Sequence, residues 1–123
     1  MDGSEPTPVL LRGQIVFDES TPSFTGATLY VYLQDTSLAD ADAVNVAQQV
    51  TRGVSYDERA RNAVPFVVGG VVPDERAHYT VMVLVDLDGD GRVSHGDFIN
   101  VESYPVLTWG RAREVSIRVE RVG

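Results

Sequence analysis

The sequence has no cysteine and no lysine. The first absence removes disulfides, thiolate nucleophiles and cysteine-ligated zinc or iron–sulfur sites. The second removes Schiff-base chemistry and the lysine of a phosphate-binding loop. All 10 basic residues are arginine, and the formal net charge is -8. That shortage of positive charge speaks against nucleic acid, whose phosphates are neutralised by basic residues, and against anionic membrane surfaces. No run of about 18 apolar residues exists, so no segment reads as a membrane span. Histidine is almost absent. His78 and His95 have no partner at metal-ligand or catalytic spacing, and no nucleophile elbow accompanies the serines.

What is present fits one globular domain. The 123 residues are 43% hydrophobic and 23% charged, ordinary values for a packed chain. Residues 1–8, MDGSEPTP, read as a solvated linker, without the basic-then-apolar order of a signal peptide. Residues 9–123 read as a single domain. Its periodicity is mostly two. Val9, Leu11, Gly13, Ile15 and Phe17 alternate with Leu10, Arg12, Gln14 and Val16; Leu29, Val31 and Leu33 alternate with Thr28, Tyr30, Tyr32 and Gln34, and later Val115, Ile117 and Val119 with Glu114, Ser116, Arg118 and Glu120. Each set predicts a strand with one buried face. Val44, Val46 and Val50 share a parity and favour a strand over residues 43–51, against a helix that Ala47, Gln48 and Gln49 would permit. Ser37 and Asp40 are spaced to cap one helical turn. Residues 52–62 are polar and read as a loop, 63–68 as a short strand that Pro65 either confines to an edge or interrupts. In residues 78–87 both parities are apolar, which predicts a central strand covered on both faces. A further extended segment is expected over 98–106, with a turn at Trp109-Gly110. The sum is an all-β fold: an antiparallel β-sandwich of six to seven strands, prealbumin- or immunoglobulin-like, with a small closed barrel as the alternative.

One stretch carries chemistry. Residues 86–97 read DLDGDGRVSHGD. With Asp86 first, Asp88 is third, Asp90 fifth, Arg92 seventh, Ser94 ninth and Asp97 twelfth, with Gly91 at the sixth position. That is the ligand spacing of a twelve-residue calcium loop. Calcium takes six to eight hard oxygens, and alternate residues of a tight loop aim them at one centre. Arg92 would contribute its backbone carbonyl, and Ser94 would act directly or through water. Val93 is expected to face inward and pin the loop to the core, with His95 facing solvent. The flanks YTVMVLV and FINVESYPV are not amphipathic helices, so the loop is expected to bridge two strands. The competing reading is a metal-free acidic turn. Against it, four nearby aspartates repel one another unless a cation neutralises them. Magnesium fits less well, because it demands near-ideal octahedral geometry and retains waters. Tyr30, Tyr32, Tyr104 and Trp109 either form an aromatic binding face or simply cover a sheet.

The stretch LYVYLQDTSLADADAVNVAQQVTR, residues 29–52, resembles the YbaY/YscW family of bacterial envelope lipoproteins. Leu33-Gln34-Asp35, Ser37-Leu38-Ala39-Asp40-Ala41 and Val46-Ala47-Gln48-Gln49 carry the likeness, with looser matches at Gly13, Val64-Pro65-Phe66, Tyr79 and the final strand. The resemblance implies a small β-sandwich of the cell envelope; some members act as pilotins for secretins in type III secretion. The cysteine that carries the lipid in that family is absent here, and the calcium loop elaborates a hairpin that is usually shorter. The expectation is a non-enzymatic, calcium-binding module outside the cytoplasm (periplasmic, outer-membrane-associated or secreted), with calcium and an envelope protein as partners. One alternative is a pilotin-like chaperone, which needs a long exposed apolar groove for a partner's helix. The other is a metal-dependent hydrolase, disfavoured because no base or nucleophile pairs with the loop.

Overall fold

The computed structural model describes residues 8–37 and 43–123. Residues 38–40 of the expected capped turn, and all but Pro8 of the expected linker, lie outside the described residues. Eight strands follow one another: β1 Val9–Val16, β2 Phe24–Asp35, β3 Val44–Tyr56, β4 Val64–Gly69, β5 Tyr79–Asp86, β6 Phe98–Asn100, β7 Pro105–Val106 and β8 Glu114–Arg121. They form one sheet in the order β3-β2-β5-β6-β8-β1-β4, with β7 pairing β5 alongside.

This corrects the expected sandwich. The two ends of the order, β3 and β4, pack beside each other, so a single sheet curls almost into a barrel. Between them lies a cavity of about 420 Å³ lined by Gln49, Thr51, Pro65 and Val67 among others. Pro65 is in register with Gln14 of β1 on the other side. It has no N–H to offer a second ladder, which is a physical reason for the seam to stay open. The sheet is also not wholly antiparallel: β1 and β8 run parallel, with Gly13 opposite Val115 and Ile15 opposite Ile117.

The buried face follows from period two. Leu11 and Ile15, Leu29, Val31 and Leu33, Val64, Phe66 and Val68, Tyr79, Val81, Val83 and Val85, and Ile117 and Val119 all point into one core. Gly13 holds an inward position where a Cβ would run into the Val115 carbonyl and the Phe66 ring. A register shift between Val9 and Leu11 exposes Val9 and buries both Leu10 and Leu11. Strict alternation from Val9 therefore fails at its first residue. The strand β3 runs past Arg52 to Tyr56, because Val54 and Tyr56 are buried in the region expected to be a loop. The outer face of β5 is covered only in part, since Met82 is exposed while Leu84 is buried. The segment expected over 98–106 breaks into β6 and β7. Asn100 accepts from the Val83 N–H at 2.7 Å and donates to the Val81 carbonyl at 3.1 Å, replacing the ladder there.

The two ends of the barrel are closed differently. At one, Phe17, Phe24, Tyr56 and Phe98 pack with ring centroids 4.7 to 5.9 Å apart. At the other, the Tyr79 hydroxyl accepts from the Asp74 N–H at 2.9 Å and donates to the Asp74 carbonyl at 3.1 Å.

Candidate metal centre and a strained aromatic turn

The acidic loop links β5 to β6, so both flanks are strands. Its fold is dictated by its own carboxylates. Asp86, at the end of β5, accepts from the Gly89 and Gly91 N–H groups at 2.9 and 2.7 Å. Asp97 accepts from the Leu87 N–H at 2.9 Å, the Ser94 N–H at 3.1 Å and the Ser94 hydroxyl at 2.9 Å. Both are 1% exposed. Asp88 accepts from the Asp90 N–H and shares the single proton of the Ser94 hydroxyl with Asp97, and Asp90 accepts from the Arg92 N–H. Gly91, with φ of +72°, makes the sharp turn at low steric cost. A Cβ there would sit 3.7 Å from the Tyr30 hydroxyl. The far side of the loop is tied to the end of the chain: the Gly96 N–H donates to the Val122 carbonyl and the Val122 N–H to the Asp97 carbonyl, each at 2.7 Å.

The loop brings four predicted ligands together. One oxygen from each of Asp86, Asp88, Asp90 and Asp97 lies within 4.8 Å of the others. Ser94 joins them through its bonds to Asp88 and Asp97, and Arg92 joins through its N–H while its side chain is exposed. Burial pushes the Asp86 carboxyl above the ordinary value, against the amides of Gly91 and Gly89 that favour its charge. The Ser94 hydroxyl, and then Asp86, bring Asp88 down to about 2. One expectation is corrected: Val93 is 51% exposed and pins nothing. The backbone bonds to Val122 hold the loop instead. His95 is exposed, as expected.

The four aromatic candidates do not share a face. Tyr30 and Tyr32 stack on the outer surface of β2, 6.2 Å apart, while the Tyr104 hydroxyl accepts from the Arg118 N–H. Trp109 belongs to a second constructed feature. The Thr108 N–H donates to the Val106 carbonyl at 2.9 Å across Leu107, whose φ is +73°. That is the rare, strained form of γ-turn. It is followed at once by a turn in which the Arg111 N–H donates to the Thr108 carbonyl, with φ of +60° at Trp109 and +79° at Gly110. This two-residue turn suits Asn-Gly, and a bulky aromatic at its first position is strained. The buried Thr108 hydroxyl, donating to the Ala77 carbonyl at 2.6 Å, anchors the segment. Trp109 is 61% exposed and stacks on His78, 13° from parallel at 5.4 Å. Beside it lies a cavity of about 480 Å³, lined by Val9, Val71, Val72, Glu75, Trp109 and Arg113 among others. The sequence marks residues 109–110 as a turn but gives no sign of this cavity, whose walls come from distant segments.

Among solved structures the fold has a close counterpart in shape. The chain is similar to an alternative pilotin from the type II secretion system of Vibrio cholerae. The TM-score is 0.72 and the identity 25%, over 92% of this chain and 96% of that one. No family profile matches the chain, and no curated protein does. The likeness is to a pilotin, and it does not extend to the YbaY/YscW family that residues 29–52 resemble. Among the described residues, no helix is long and apolar enough to cross a membrane.

Proposed function

We propose that the protein is a non-enzymatic, pilotin-like factor of the bacterial envelope that binds a secretin. The carrying observation is the similarity to the Vibrio cholerae pilotin, which extends over nearly the whole of both chains. The test is direct: purified protein is titrated with the secretin encoded in the same genome, and the secretin is followed in cells with the gene deleted. A 1:1 complex, and loss of the secretin from the outer-membrane fraction on deletion, are the expected results. No complex and unchanged secretin assembly would overturn the reading.

The geometry favours a second, compatible role for residues 86–97, the holding of a structural calcium ion. Donors at about 2.3–2.6 Å from a calcium ion stand up to about 5 Å apart across it, which suits four carboxylate oxygens lying within 4.8 Å. A carboxylate oxygen bonded to one amide keeps a lone pair for a metal. Asp86, Asp88, Asp90 and Asp97 would supply carboxylates, Arg92 its carbonyl and Ser94 its hydroxyl or a bridging water. The ion would relieve the mutual repulsion of the aspartates. Calcium modules outside cells bind at about 10⁻⁴–10⁻³ M. Isothermal titration with calcium, repeated on Asp88→Asn, tests this.

A further inference from the structure

We infer that the cavity beside Trp109 is where the partner docks, and that it takes an apolar segment of the secretin bearing a carboxylate. The inference rests on the pilotin reading and adds the site and the chemistry of its occupant. Three observations converge. The first is conformational. Leu107 and Trp109 are held left-handed by consecutive turns, and Trp109 gains little burial from it. A residue that is unfavourable for its own turn and left in solvent is explained by what it meets there. The second is shape. Exposed Val9 and Val71 share the cavity with Trp109, so three large apolar side chains from separate segments face one space, of the size that seats a ligand group. The third is charge. In a chain of net charge -8, the 107–113 segment carries only Arg111 and Arg113. Arg113 lines the cavity, and neither arginine forms an ion pair among the described residues. Tryptophan with arginine is the pairing that anchors protein interfaces, and an unpaired guanidinium selects a carboxylate. Glu75 also lines the cavity and repels a carboxylate, so the occupant's carboxylate pairs with Arg113 and its apolar side chains lie against Trp109, Val71 and Val9. An anionic lipid surface would have to overcome the net negative charge of the whole molecule.

The chain's single tryptophan makes this site its own reporter. Overlapping 20-residue peptides tiling the secretin of the same genome are added while Trp109 emission is recorded. Affinities are then measured by calorimetry for wild type, Trp109→Asn, Arg113→Glu and Val101→Ser, an exposed position away from the cavity. The expected peptide is apolar with an Asp, Glu or free C-terminus, and it shifts the emission to the blue. Its affinity falls at least tenfold in Trp109→Asn and Arg113→Glu and holds in Val101→Ser. Replacing the side-chain carboxylates by amides, or amidating the terminus, shows which source Arg113 reads. Asn-Gly suits the turn, so Trp109→Asn keeps its melting temperature, and loss of binding is not loss of fold. If only the full-length secretin binds, the same variants are read against it. Equal affinity in all variants would overturn the site and leave the pilotin reading standing; no binding by wild type overturns both. A blue shift caused by phosphatidylglycerol vesicles alone, or by raising the protein concentration alone, would assign the cavity to a lipid surface or to a second copy and overturn the inference.

Discussion

Two constructed turns lie at opposite ends of β5, about 23 Å apart at the rise of an extended strand. In the acidic loop every left-handed residue is a glycine: Gly89, Gly91 and Gly96. Each aspartate there has amide or hydroxyl donors. In the 107–113 segment the left-handed residues include Leu107 and Trp109, both poorly suited to that conformation. The first turn is built from residues that want to be there. The second is imposed on its residues by the rest of the fold. Local agreement of that kind makes a site readable from sequence, whereas a residue in conflict with its conformation becomes visible only in three dimensions.

The contrast can be broken most forcefully at Asp97. Its carboxylate partners one amide near the start of the loop and two groups of Ser94, and it is buried. Asp97→Ala should destabilise the protein by about 3–5 kcal/mol in the absence of calcium, as several donors lose their acceptor together. Urea denaturation measures this. A loss below about 1 kcal/mol would mean that the loop is not organised by its carboxylates. Calcium should act in the opposite direction. An ion that binds the native loop and not the unfolded chain adds RT ln(1 + [L]/Kd), about 2.7 kcal/mol at a hundredfold excess over Kd. Thermal melts in calcium and in chelator compare the two states, and identical midpoints at millimolar calcium would end the calcium reading.

The same contrast explains what the sequence disclosed. Most strands could be read because Leu29, Val31 and Leu33, or Val115, Ile117 and Val119, alternate without interruption. Pro65 marked an edge strand correctly for the same local reason. The barrel could not be distinguished from a sandwich, since each strand buries one face in either, and only the pairing order separates them. Arg52 and Ser55 hid the end of β3, because Val54 and Tyr56 are too few to outweigh polar neighbours in a linear reading. The convergence of Asp86, Asp88, Asp90 and Asp97 was legible because their spacing is itself the geometry. The cavity was not, because Val9, Val71 and Trp109 meet only through tertiary structure.

The imposed turn answers to a smaller change. Trp109→Asn replaces a strained aromatic by the residue its turn prefers, and little packing is lost because the indole is mostly exposed. Relief of one left-handed non-glycine residue is worth about 1 kcal/mol, partly offset by the lost stack on His78. The variant should melt at or slightly above the wild-type temperature in calorimetry. A clear fall would show that Trp109 supports the fold, and the conformational argument for its role in binding would fail.

The smallest expected effect compares the two ends through acid. Asp18, beyond β1 at the aromatic end, accepts from the Ser20 hydroxyl and N–H at 2.6 and 2.8 Å. Those bonds hold its carboxyl below the ordinary 3.8. Asp35, at the Trp109 end, is held below 3.8 by the Ser37 hydroxyl and by the Ser37 N–H at 2.9 Å. In both cases the folded chain favours the charged form more than the unfolded chain does. The stabilisation is therefore complete above the unfolded value and is lost as pH falls through the lower folded one. Asp18→Asn and Asp35→Asn should each flatten the stability profile below about pH 4 and leave its shape near pH 7 unaltered. Asp18 is exposed and Asp35 is half-buried, so salt and water screen the effect, more so at Asp18. Urea denaturation across pH 2.5–7 reads both slopes. A slope that steepens in either variant would reverse the assigned sign and show that the carboxylate is stabilised as the acid.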